Sequence, residues 1–128
     1  MDTKISKLMK AKGLDDKSVL YRYSLIEYLD KLEDGSTIIN ANPSATEMVE
    51  DVYGSGHILM ASSFGPGLSF TIQPEEEFNS EEHTLVSVKL GDVLEQGGKI
   101  YPDKSTYTLN AYYLTIPAGM IKVQLKES

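Results

Sequence analysis

Arg22 stands inside an apolar run of β type, Val19-Leu20-Tyr21-Arg22-Tyr23. Burying an arginine in such a run is costly unless an anion compensates its charge. Its planar fork of donors matches the oxygens of a carboxylate or a phosphate in a bidentate way. Two readings follow: an edge-strand arginine paired to an acidic neighbour, or a clamp for a pyrophosphate. A second stretch, Phe64-Gly65-Pro66-Gly67-Leu68-Ser69-Phe70-Thr71, joins a tight turn to a strand. Gly65 and Gly67 permit backbone angles that other residues avoid, and Pro66 fixes its own φ between them. Leu68 and Phe70 alternate with Ser69 and Thr71, so one face of the strand is apolar and the other carries two hydroxyls. The plain reading is a hairpin turn with solvated hydroxyls; the chemical one is a backbone that a ligand can approach.

Other chemistries find little support. The chain has 128 residues and no cysteine, which removes disulfides and thiolate catalysis. His57 and His83 are the two histidines, each at the start of an expected strand, and no zinc-ligand spacing surrounds them. No G-x-S-x-G elbow, P-loop or dinucleotide fingerprint occurs; Gly54-Ser55-Gly56 and Gly97-Gly98-Lys99 match none of these. Glu75, Glu76, Glu77, Glu81 and Glu82 crowd one segment without the glycine and alternation of a calcium loop. A net charge of −7 argues against a protein that binds by neutralising many phosphates. No apolar run approaches the ~20 residues that span a bilayer, and the first residues show no signal-type apolar region.

The expected frame for these residues is one α+β domain over residues 1–128, with a short N-terminal helix in 1–13 and a core in 18–128. Ile5, Leu8 and Met9 fall at helical spacing, with Gly13 as the stop. Ser24 and Glu27 form a candidate capping box ahead of Leu25, Leu29 and Leu32, and Ser44 and Glu47 form another ahead of Met48, Val49 and Val52. Two or three N-terminal helices are therefore predicted to pack on a mainly antiparallel, split β-sheet. The strands of that sheet are expected at 19–23, 37–39, 57–61, 67–71, 83–89, 107–116 and 120–125. Pro74 with the glutamates after it predicts an acidic helical turn, and residues 91–95 a single turn ended by Gly97-Gly98.

The order Leu20-Tyr21-Arg22-Tyr23-Ser24, a helix, and then Asp34-Gly35-Ser36-Thr37-Ile38 resembles the opening of the ADP-ribosyltransferase toxin fold. Gly67-Leu68-Ser69-Phe70-Thr71 is similar to that family's hydroxyl-bearing strand. Ala111-Tyr112-Tyr113-Leu114-Thr115-Ile116-Pro117-Ala118-Gly119 is similar to its closing strand and turn. The resemblance spans roughly Val19 to Val123 on short motifs. It implies a bacterial competition toxin that takes NAD as its substrate: Arg22 grips the diphosphate, Ser24 and Ser69 support the site, and Phe70 or Tyr23 packs on the nicotinamide. Gly67 and Thr71 complete the implied NAD-binding set, with Thr71 orienting the strand.

The family's catalytic glutamate is missing, because the matching strand reads Leu109-Asn110-Ala111-Tyr112-Tyr113. Three explanations stand open. The chain is a degenerate relative that binds a partner; Asp103 or a glutamate of the acidic loop fills the role; or Ala111 replaces a glutamate in an inactivated form. The resemblance further implies action in the cytoplasm of a target cell, on an unidentified macromolecular acceptor such as a protein, with a cognate immunity protein as a second partner. NAD hydrolysis is an open variant of the activity. The reading from a different class is a non-enzymatic, acidic interaction domain such as an immunity protein or phage-encoded inhibitor. The two readings part at Arg22: a clamp faces a cleft shared with Ser69, whereas an interaction domain leaves the arginine salt-bridged on an outer face.

Overall fold

A computed structural model describes residues 3–74, 80–105, 111–117 and 119–123. The chain is built mainly of strands, and the helices expected over 24–32 and 44–52 are not formed. Among the described residues there are two α-helices, α1 (Thr3–Ala11) and α2 (Leu90–Glu95). The expected layer of two or three N-terminal helices is thus not formed: α1 is the one N-terminal α-helix among the described residues, and short strands stand where the others were expected. The acidic segment 75–79, the first residues of the strand expected at 107–116, and residues 124–125 lie outside the described residues.

The central sheet has five antiparallel strands in the order β7 (His83–Lys89), β1 (Val19–Leu25), β6 (Gly67–Thr71), β9 (Ala111–Thr115) and β8 (Lys99–Pro102). A second sheet places β3 (Thr37–Asn40) between β10 (Met120–Val123) and β2 (Leu29–Lys31). A third element is the hairpin of β4 (Met48–Glu50) and β5 (Ile58–Met60). Two isolated bridges tie these pieces together, Asn42 to Gly67 and Val49 to Asp103.

Strand alternation accounts for two cores. Leu20, Leu68, Phe70, Tyr112 and Leu114 face one side of the central sheet and pack with Ile39, with Ile5 and Met9 of α1, and with Leu90 and Val93 of α2. Tyr101 and Tyr113 face the other side and pack with Ala45, Val49 and Ala61 beneath the hairpin. Every residue of β9 is buried, as a central strand covered on both faces requires. Each large side chain enclosed this way contributes about 1.5–3 kcal/mol.

The two failed helix expectations have local causes. Ser24 belongs to β1, and its hydroxyl accepts the Arg22 Nε–H at 3.1 Å, so it cannot cap a helix. Residues 26–28 form one 3-10 turn, and Leu29 then pairs with Ile39. In the second case Ser44 sits in a turn set by the Asn42 side chain, and Glu47 leads into β4. Val49 is fully buried while Met48 is exposed, a period of two that the short segment shares with one turn of helix.

The turn before β6 has specific backbone requirements. Gly65 holds φ +108° and ψ 179°, a region open essentially to glycine. Gly67 is packed against the β9 backbone: a Cβ there would collide with the Leu114 carbonyl and lie 2.7 Å from Tyr113 Cζ. Gly67→Ala is therefore expected to destabilise the fold by about 2–3 kcal/mol, read as a lower urea midpoint at unchanged m-value.

Candidate functional site

The site arises where the central sheet opens. β1 and β6 share one register pair, Tyr21 opposite Thr71. Continued pairing would set Tyr23 against Ser69, but β1 instead continues along β7 as far as Leu25 opposite His83. Arg22 fills the gap, donating from Nη1 to the Ser69 carbonyl at 3.1 Å and from Nε to the Ser24 hydroxyl at 3.1 Å. Both partners are neutral, and Arg22 makes no ion pair among the described residues. It is the chain's one arginine, set in a strand and half-buried.

Burial lowers the Arg22 pKa from its ordinary value, and the nearby Glu47 carboxylate pulls the other way. A guanidinium so shifted remains charged at neutral pH. Glu47 carries the one buried side-chain oxygen, Oε2, that lacks a hydrogen-bond partner among the described residues. Sequence reasoning missed this carboxylate by assigning it to a helix cap, where its side chain would have reached back to solvent-exposed backbone.

A groove of about 320 Å³ lies over the opening, within the range of small-molecule sites. Arg22, Tyr23, Ser24 and Leu25 of β1 line it together with Ile39, Asn40, Ala41 and Asn42 of the second sheet and its following turn, and Leu68 and His83 complete the lining. The lining residues 39–42 carried no signal in the sequence beyond an apolar strand followed by asparagines. His83 Nδ1 and Ser80 Oγ share a hydrogen bond of 2.7 Å at the rim.

Ser69 links Arg22, which lines the groove, to the carboxylate of Asp103, which does not. Its carbonyl receives Arg22, and its hydroxyl donates to Asp103 Oδ2 at 2.9 Å. The other oxygen, Oδ1, accepts the Ser105 N–H at 2.8 Å. Asp103 stands beside Ala111, whose carbonyl accepts the Asp103 N–H at 2.9 Å. Ala111 therefore adjoins a carboxylate that follows the end of β8.

Of the sequence candidates, Arg22, Tyr23 and Ser24 line the groove, and Ser69 touches it through Arg22. Gly67 does not line the groove but holds one of its lining residues, Asn42, whose N–H donates to the Gly67 carbonyl at 3.1 Å. Phe70 is placed elsewhere: it is 1% exposed in the core, so it cannot pack on a ligand, and Tyr23 is the groove's aromatic. Thr71 turns its hydroxyl to the Gln73 carbonyl at 2.5 Å and closes the end of β6. Ala111 is buried opposite Thr71.

Tyr113 backs the site and fixes the turn, donating its hydroxyl to the Gly65 carbonyl at 2.6 Å. Burial, then the charges of Glu47 and Tyr101, push its pKa up to about 12 from 10.0. The folded state thus holds this proton more tightly than the unfolded state. Its contribution to stability is complete below about pH 10 and is lost as the pH rises toward 12. Tyr113→Phe is expected to flatten the loss of stability across that window by up to about 3 kcal/mol, while costing about 1 kcal/mol at neutral pH for the lost hydrogen bond. Urea titrations from pH 7 to 12 measure both effects.

No family profile and no curated protein matches the chain. Among solved structures it is similar to AvrPphF ORF2, a type III effector from P. syringae. The TM-score is 0.64 at 21% identity, over 98% of this chain and 89% of that one. The likeness is one of fold. No helix among the described residues is long and apolar enough to cross a membrane.

Proposed function

We propose that the chain is an effector-type domain that engages a protein partner and uses the groove at Arg22 to hold NAD for transfer of ADP-ribose. The observation that carries this reading is the half-buried guanidinium of Arg22, fixed by two neutral acceptors and facing a groove, with no anion in contact among the described residues. A charge kept in that state is matched by an anionic ligand, and a diphosphate fits its planar donors. The likeness to a type III effector agrees with a protein-directed role.

In this reading Arg22 binds the diphosphate and Tyr23 offers its ring to the nicotinamide end. Asp103, oriented by Ser69 and Ser105, takes the part of the carboxylate absent from position 111. The bond between ribose C1′ and the nicotinamide nitrogen breaks, and nicotinamide leaves with the electron pair. The carboxylate of Asp103 stabilises the positive charge on the ribose and accepts the proton of the attacking nucleophile. A side chain of the partner then forms the new bond to C1′.

The non-enzymatic reading also has a specific observation behind it: the exposed apolar hairpin of β4 and β5 is a contact surface that needs no NAD. Nicotinamide release from NAD, measured with and without a protein extract as acceptor, separates the two. Release that depends on Asp103 supports transfer. No release, together with no NAD binding by calorimetry, leaves the interaction domain as the function.

A further inference from the structure

The hairpin β4–β5 presents an edge that natural sheets usually blunt with charge, proline or a bulge. Asp51 N–H donates to His57 O and Ala61 N–H to Glu47 O, so residues 57, 59 and 61 turn their backbone toward β4. Ile58 consequently directs its N–H and C=O outward and Met60 its N–H, with no partner among the described residues, while the Met60 carbonyl opens the 3-10 helix Ala61–Phe64. Their side chains are also uncovered, at 53% and 46% exposure, and Met60 lies across from the exposed Met48. The fourth position of that face is the acidic Glu50, opposite Ile58.

The inner edge of the hairpin is sewn to the site. Val49 bridges to Asp103, Lys104 N–H donates to Met48 O at 2.7 Å, and Met48 N–H donates to Ser105 Oγ at 3.2 Å. Anything seated on the hairpin is thereby held in register with the Asp103 carboxylate. A second copy of this chain is a poor occupant, since each copy carries a net charge of −7.

We infer that the outer edge of β5 docks an extended segment of a partner protein, one in which lysine or arginine alternates with apolar residues, by adding it as a strand beside Ile58 and Met60. Backbone pairing supplies the geometry, the Met48–Ile58–Met60 face takes the apolar side chains, and Glu50 takes a basic one. The inference rests on the protein-directed part of the proposed function and not on NAD.

The test uses three synthetic octapeptides with the labelled protein: alternating Lys–Val, alternating Glu–Val, and alternating Lys–Pro, whose prolines cannot donate to a ladder. Binding of Lys–Val is expected at least tenfold tighter than either control, with the amide signals of Ile58 and Met60 shifted and slowed in hydrogen exchange. The double variant I58K/M60K, altered at exposed positions, is expected to lose that binding at least tenfold while keeping its NAD affinity. Equal binding of Lys–Pro, unchanged binding by the variant, or a concentration-dependent dimer formed through β5 would each overturn the docking site. Absence of NAD binding in both proteins counts against the groove reading alone, since the peptide arm is scored separately.

Discussion

Arg22→Lys is expected to lower the NAD-dependent reaction by about a hundredfold in kcat/KM, equivalent to about 3 kcal/mol. The lysine keeps the positive charge, so the loss isolates the planar fork from the charge itself. In the wild type Nε and Nη1 are engaged by Ser24 and Ser69, which fixes the plane of the guanidinium. An ammonium on a flexible stem has no plane to fix and cannot meet two phosphate oxygens in that manner. The Ser69 carbonyl also loses its partner, and thermal unfolding should register a smaller effect, on the order of 1 kcal/mol. A loss confined to KM would mean that Arg22 binds substrate and transition state alike. A drop in kcat as well would mean that it also positions the ribose. Activity equal to wild type would remove Arg22 from the site.

Asp103→Asn is expected to reduce nicotinamide release by 10²- to 10³-fold in kcat with little change in NAD affinity. Asparagine retains an acceptor for the Ser69 hydroxyl but removes the charge that would stabilise the ribosyl cation and the base that would take the acceptor's proton. Both oxygens of Asp103 accept hydrogen bonds, from Ser69 and Ser105, so the side chain is held before any ligand arrives. Folding should survive, since asparagine can still take up the part-buried bonds to Ser69 and Ser105 in part and the bridge to Val49 runs through the backbone. Full retention of nicotinamide release in a folded Asp103→Asn protein would assign the catalytic carboxylate elsewhere, with Glu47, whose charge acts on Arg22, as the next candidate.

The cluster around Arg22 was easier to read in the sequence than the architecture. An arginine in an apolar run marks itself, because its burial needs a reason, and Arg22, Ser24 and Ser69 do converge. Asp103 was one of several carboxylates in play, and only the pairing of β8 with β9 brings it beside Ala111 and within reach of Ser69. Strands with clear alternation, such as 83–89 and 67–71, lie where the pattern placed them. The helices at 24–32 and 44–52 failed because capping residues were read as local signals when both were committed elsewhere: Ser24 to Arg22, Glu47 to the buried side of β4. Leu25, Leu29 and Leu32 fit a helical face over so few residues that a strand end, a 3-10 turn and a second strand fit equally well. The groove's lining by residues 39–42 owes its place to the Asn42–Gly67 bridge, a contact between distant segments that no local pattern encodes.

The most direct test of the central claim follows from Arg22 being the chain's one arginine. In a ¹⁵N-labelled sample its Nε–H is the single arginine side-chain signal, so a titration with NAD reports on that group without assignment ambiguity. NAD is expected to shift the signal saturably, ADP-ribose to compete for the same shift, and nicotinamide alone to leave it in place. A signal unmoved by millimolar NAD in the folded protein would contradict the account and leave the protein-contact reading in its stead.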